Sequence, residues 1–175
     1  MTLVFDLETD GLLNDVTKIH CIAIYDTETN ETTSYNDECP GKGMSEPVVR
    51  AVQYLEQAES IVGHNIIGFD IPVIRKLYPF FNYVGTAIDT LILSRLYHNR
   101  IIEIDKAKFK DMPSRLKGRH SLEAYGYRLG EYKGEFSKTT DWKEWSQEME
   151  DYCIQDVKVT TKLCDHFHPY LTGSR

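Results

Sequence analysis

Long hydrophobic runs are missing from this chain of 175 residues. The longest uninterrupted apolar stretches, such as Cys21–Ile24, last only a few residues, which excludes a helical membrane span. No basic head precedes a hydrophobic stretch at the start, so no signal peptide is expected. Cysteine is scarce: Cys21, Cys39, Cys153 and Cys164 show no C-x-x-C spacing, and a domain of this size builds its core without staples. Free thiols in a reducing, cytoplasmic setting are therefore expected. An excess of positive charge is also missing, with 20 Lys+Arg against 27 Asp+Glu for a net charge of -7. That balance argues weakly against a nucleic-acid partner, which normally requires phosphate-neutralising cations.

What is present is enough for a core. A hydrophobic content of 41% excludes a disordered chain, and the length suits one compact domain spanning 1–175. The charge is unevenly placed. Between Arg95 and Lys133 there are ten basic and five acidic residues, a local excess of +5 that leaves -12 elsewhere. The stretch reads either as a solvated loop or as a surface for a polyanion.

Leu3 to Leu7 is an almost unbroken apolar run that stops at Glu8-Thr9-Asp10-Gly11, as a strand buried on both faces would. Ile19–Tyr25 reads as a second strand, and Glu31–Tyr35, after polar turn residues, as a third returning in a hairpin. After the proline- and glycine-punctuated stretch from Pro40 to Pro47, the spacing of Val48, Val49, Val52 and Leu55 predicts a helix up to Ala58. Short strands at Ser60–Gly63 and Gly85–Ile88 alternate with helices from Asp70 to Tyr78 and from Thr90 to Tyr97. Residues 99–119 show little periodicity and read as a long basic loop. Short helices are expected at Ser121–Leu129 and Trp142–Met149, with a long closing helix over 147–168. The order implies an α/β fold with a mixed five-stranded sheet, an antiparallel hairpin at one edge and helices on both faces.

Several acids sit where acids are costly. Asp6 and Glu8, two apart on a strand, share a face near its C-terminal end, where α/β sheets place ligands. A metal site and a pair of turn-capping acids are both open readings. On the closing helix, Met149, Tyr152, Cys153, Asp156, Val157, Thr160, Leu163, Cys164 and Phe167 form one stripe. A carboxylate in that stripe needs a cation, a hydrogen-bond network or a proton. The alternatives are a helix rotated to expose Asp156, or a pairing with a base such as Lys158. Asp70, after Gly63-His64-Asn65, reads either as an ordinary N-cap or as part of a substrate site. Cys164, His166 and His168 alternate along a helix and so cannot converge on one zinc ion. His20 and the isolated His98 read as structural or solvated, and Trp142 and Trp145 as cover for the sheet.

Taken together, Asp6-x-Glu8, Asp70 after Gly-His-Asn, and Tyr152-x3-Asp156 resemble the DEDDy 3′-5′ exonucleases of the DnaQ-like group, which have the ribonuclease H-like fold. The segment from His120 to Glu131 also resembles the proofreading domain of family A DNA polymerases of short-tailed phages. The resemblance implies that Asp6, Glu8, Asp70 and Asp156 hold two divalent cations, Mg²⁺ or Mn²⁺, while Tyr152 orients the attacking water. In the sister DEDDh type a His stands five residues before the last Asp, where this chain has Asp151. By position, Thr9 and Leu12 would meet the terminal nucleotide, with Leu12 against its base, and Asn65 would approach the next sugar-phosphate.

Hard cations prefer the oxygen ligands that four carboxylates supply. Phe69 and Tyr127 are further candidates for base contacts, with core packing as the alternative. Lys106, Lys108 and Lys110 are candidates for guiding the strand's backbone. The implied function is proofreading exonucleolysis of the 3′ end of single-stranded or frayed DNA, giving nucleoside 5′-monophosphates. The rivals are an RNA-trimming enzyme of the same type and an inactive module that binds a polymerase. No polymerase domain follows Tyr170-Leu171-Thr172-Gly173-Ser174-Arg175, which leaves open a free-standing enzyme, the partner of a separate polymerase subunit, or a fragment. A phage-encoded chain would act in the host cytoplasm.

Overall fold

A computed structural model describes residues 1–38, 46–131 and 142–173. Cys39, Lys133 and most of the stretch from Pro40 to Pro47 lie outside the described residues. Five strands form one mixed sheet: β1 (Thr2–Thr9), β2 (Ile19–Asp26), β3 (Glu31–Asn36), β4 (Ser60–Gly63) and β5 (Thr86–Asp89). Their spatial order is β3-β2-β1-β4-β5. β1 and β3 run antiparallel to β2, whereas β4 and β5 run parallel to β1. The expected antiparallel hairpin therefore occupies one edge, and the three parallel strands all end on the same side.

The two faces of β1 have different neighbours. Leu3, Phe5 and Leu7 enter the larger core with Val48, Val52 and Leu55 of α1 (Val48–Glu56) and Val73 and Ile74 of α2 (Asp70–Leu77). Val4 faces the other way, into a cluster with Met149, Cys153 and Val157 of α6 (Gln147–Thr172). Alternation then dictates that Asp6 and Glu8, at two and four residues beyond Val4, also face α6. Opposite them on β2 stand Ala23 and Cys21, small side chains that leave room beside the acids.

α3 (Thr90–Tyr97) and α5 (Leu122–Leu129) complete the cover of that face, packing on the C-terminal half of α6. Trp142 and Trp145 pack over the same face of the sheet, as expected. The expected helix over Trp142–Met149 begins only at Gln147, because Ser146 is its N-cap and accepts the Met149 N–H at 3.2 Å.

The basic segment over 99–119 differs from the expected loop. It carries α4 (Ile101–Lys108) and a single 3₁₀ turn at Ser114–Leu116. Only Ile101 and Asp105 of α4 are buried, so its inner face has one apolar anchor and one acid, which gives no hydrophobic period to read. Asp105 is held by Arg128, Nε to Oδ1 at 2.8 Å and Nη2 to Oδ2 at 2.7 Å, and accepts the Gly118 N–H at 2.8 Å. Among the described residues, no helix is long and apolar enough to cross a membrane.

Candidate active site

The C-terminal ends of β1, β4 and β5 deliver the site. At the end of β1 the register with β2 slips between Glu8 and Thr9, a bulge that re-aims the chain where it leaves the sheet. Oxygen atoms of Asp6 and Glu8 and the Cys153 sulfur all lie within 4.8 Å of one another. The Cys153 thiol donates to the Asp6 carbonyl at 3.3 Å. Burial, then Cys21, then the charges of Asp6 and Glu8 push that thiol well up. With its proton retained, the thiol forms a neutral wall beside the two acids. Cys153 was legible from sequence only as an apolar member of the α6 stripe.

Asp70 is the first residue of α2, whose N-cap is Phe69. The N-cap reading is thereby removed, and Asp70 is 4% exposed. Burial, followed by the Asp6 charge and to a lesser degree Asp89, raises its pKa well above the ordinary carboxylate value. Asp156 is 6% exposed, one turn beyond Cys153 on the same face of α6. The helix buries it rather than exposing it, and Lys158 pairs with Glu131 at 3.0 Å. Tyr152 precedes Cys153, and its ring stands edge-on to Trp142 with centroids 6.4 Å apart.

Trp142 also lines a cleft of about 340 Å³ with Leu7, Glu8, Thr9, Gly11, Leu12 and Phe69. Thr9 and Leu12, expected at the terminal nucleotide, and Phe69, a candidate for base contacts, thus meet beside Glu8. Thr9 donates its hydroxyl to the Gly11 carbonyl at 2.8 Å. Leu12 is 75% exposed, yet its loop is built. Asp10 accepts the N–H groups of Thr17 and Lys18 at 2.9 and 3.0 Å, and Lys76 donates to the carbonyls of Leu13 and Asn14.

Asn65 occupies a second groove, of about 460 Å³, with His64, Leu91, Arg95, Gly118, Arg119 and His120 among its lining. It has φ of 70°, a left-handed conformation that Asn tolerates better than most residues. Asp89, at the end of β5, fixes this turn by accepting the N–H groups of Asn65 and Ile67 at 3.0 and 3.1 Å. The same carboxylate N-caps α3. Asp89 was not singled out from sequence, and Arg95 and Arg119 only as members of the basic stretch. An acid closing a parallel strand was the available signal for Asp89, and the two arginines stand out only once folding sets them beside Asn65.

The remaining candidates fall elsewhere. Lys108 and Lys110 line a separate crevice with Phe109, Asp111, Met112 and Tyr127, and Lys106 is exposed on α4. The structure does not bring them to the acid cluster. His20 is buried, and its Nε2 lies 3.0 Å from the Trp142 carbonyl. His98 is not isolated: it meets His166 of α6.

Residues 3–168 match the family described as the RNase_H superfamily. The chain is 34% identical to the DNA-directed DNA polymerase of Escherichia phage T7 and 35% identical to that of Enterobacteria phage T3, in each case over 93% of the chain. It spans only 26% of the length of those two relatives. Among solved structures, Brucella melitensis NrnC with bound Mg²⁺ superposes with a TM-score of 0.63 at 18% identity, covering 99% of this chain and 74% of that one. Exonuclease I of E. coli in complex with a dT13 oligonucleotide gives 0.57 at 18% identity, with 99% of this chain and 42% of that one covered. These two likenesses concern the fold.

Proposed function

The chain belongs to the RNase H superfamily, and from that premise we propose that it is a metal-dependent 3′-5′ exonuclease acting on single-stranded or frayed DNA in proofreading. The observation that carries this reading is the crowding of carboxylates on the α6 side of β1. Asp6 and Glu8 lie within 4.8 Å of each other, and the Asp6 charge raises the buried Asp70. Such a set is unfavourable when ionised and alone, so it fits hard divalent cations, which take oxygen ligands.

Asp6, Glu8, Asp70 and Asp156 would hold two cations of the Mg²⁺ or Mn²⁺ class. When bound, such a pair supplies a hydroxide-like nucleophile and neutralises charge on the leaving 3′ oxygen. The chain's own residues do the rest. Leu12, Phe69 and Trp142 form an apolar cleft for the terminal base, and stacking there is tolerant of sequence. Thr9 and Asn65 flank the terminal and neighbouring nucleotides. The Tyr152 hydroxyl holds the water for attack. Arg95 and Arg119 offset phosphate charge in the groove beside Asn65.

The relatives from phages T7 and T3 are polymerases, which supports a proofreading role and a polymerase as partner. The test is degradation of labelled single-stranded DNA and RNA of one sequence, with Mg²⁺ and with EDTA. Mg²⁺-dependent shortening of DNA from the 3′ end supports the reading. EDTA-resistant hydrolysis, or no hydrolysis in Mg²⁺ or Mn²⁺, overturns it, and a strong preference for RNA reassigns the substrate.

A further inference from the structure

Away from the acids, the end of α3 meets the last turns of α6 through two imidazoles. The Nε2 atoms of His98 and His166 lie 3.3 Å apart, with ring centroids 5.0 Å apart and planes inclined at 62°. Two coaxial rings sharing a straight N–H···N bond at that separation would place their centroids about 5.6 Å apart. The observed rings are closer, so they are not coaxial. Two metal–nitrogen bonds of about 2.0–2.1 Å meeting near the tetrahedral angle hold their nitrogens about 3.3–3.4 Å apart. The 3.3 Å between the two nitrogens therefore suits imidazoles sharing one small ion.

The surroundings fix the His98 ring in a suitable form. Its Nδ1 lies 3.2 Å from the buried Tyr125 hydroxyl, which in turn lies 3.4 Å from His120 Nδ1. Burial, then the Arg128 and Arg95 charges, hold His120 below its ordinary pKa, so its neutral ring can accept from Tyr125. The resulting chain has His98 Nδ1–H donating to Tyr125 and Tyr125 donating to His120. It leaves His98 Nε2 as the unprotonated nitrogen, on the side of His166, as an outer hydrogen bond does for a metal-ligating histidine. Phe167 packs against both rings, with centroids 5.1 Å from each, and Tyr170 lies just beyond. Burial also shifts the His166 imidazole down, toward the neutral ligand form.

We propose that His98 and His166 form a two-imidazole site for a borderline divalent transition metal ion of the Zn²⁺ class, distinct from the acid cluster, with water completing its coordination. Imidazole suits zinc, copper and nickel, whereas carboxylates suit magnesium and manganese, so the two sites select different ions. The ion would clamp the end of α3 to α6, the helix that carries Tyr152 and Asp156.

The test uses the whole chain in excess Mg²⁺, titrated with Zn²⁺ while the imidazole ¹⁵N resonances are followed by NMR. The expected result is that His98 and His166 Nε2 shift together to saturation at one equivalent. His166→Gln, at an exposed position, should keep the native near-ultraviolet circular dichroism, weaken Zn²⁺ binding at least tenfold and abolish the His98 shift. Saturable binding should also fade as the pH falls and the imidazoles take up protons. Unshifted His98 and His166 resonances in Zn²⁺, or undiminished binding by His166→Gln, would overturn the site and leave a hydrogen-bonded histidine pair.

Discussion

Asp89 accepts the backbone N–H of Asn65 at 3.0 Å while its carboxylate also caps α3 through the Leu91 and Ile92 N–H groups. One buried acid thus sets both the turn before α2 and the start of α3. Asp89→Ala leaves several backbone donors without their acceptor and should cost about 2–3 kcal/mol in urea unfolding. Asp89→Asn keeps one acceptor oxygen and should cost less. Equal, negligible losses in both variants would remove Asp89 as the brace of the Asn65 turn.

Asp70 gives a pH dependence with a definite sign. Its pKa is raised in the folded protein by burial and then by Asp6, so the folded state binds this proton more tightly than the unfolded chain does. In EDTA its contribution to stability falls as pH rises from the ordinary carboxylate value of 3.8 upward through its raised folded range. A cation that pairs with the ionised form reverses that loss. The increase in Tm produced by Mg²⁺ should be larger at pH 8 than at pH 5, and Asp70→Asn should be more stable than the parent in EDTA at pH 8. A Mg²⁺ effect independent of pH counts against this assignment.

Much of this was legible before folding. Four of the five strands stood out as short, largely apolar runs bounded by turn residues, the Thr-rich β3 was legible only as the return of a hairpin, and the Asp6-x-Glu8 spacing put both acids on one face. α4 was not legible, because its buried positions are Ile101 and Asp105 and the partner that makes Asp105 tolerable is Arg128, distant in sequence. His98 looked solitary for a similar reason: its partner His166 is brought to it only by packing between α3 and α6. The cleft beside Glu8 was half legible. Thr9 and Leu12 could be placed by motif, but Phe69 was open between a base contact and core packing, and Trp142 carried only the signal of a sheet-covering aromatic.

Tyr152 is proposed to position water and not to bind metal. Tyr152→Phe should therefore retain Mg²⁺ and single-strand binding and lose about 10- to 1,000-fold in kcat, since an interaction made mainly in the transition state is removed. Asp156→Asn should weaken metal binding as well as activity. Wild-type single-turnover rates in Tyr152→Phe would make Tyr152 a packing residue against Trp142.

The lysines of the α4 region make a separate electrostatic prediction. If Lys106, Lys108 and Lys110 each neutralise one phosphate, replacing all three with Gln should lower the salt slope of single-strand binding by about 2. An unchanged slope, together with a fall in slope for Arg95→Gln and Arg119→Gln, would place the strand in the groove beside Asn65 and away from α4.

The central claim is that four carboxylates on β1, α2 and α6 hold a pair of hard cations. Its most direct measurement is an anomalous difference map from crystals soaked in Mn²⁺. The account predicts two peaks about 3.5–4 Å apart among Asp6, Glu8, Asp70 and Asp156, with occupancy lost in Asp156→Asn. A map with no Mn²⁺ among these residues, at a concentration that supports hydrolysis in solution, would contradict it.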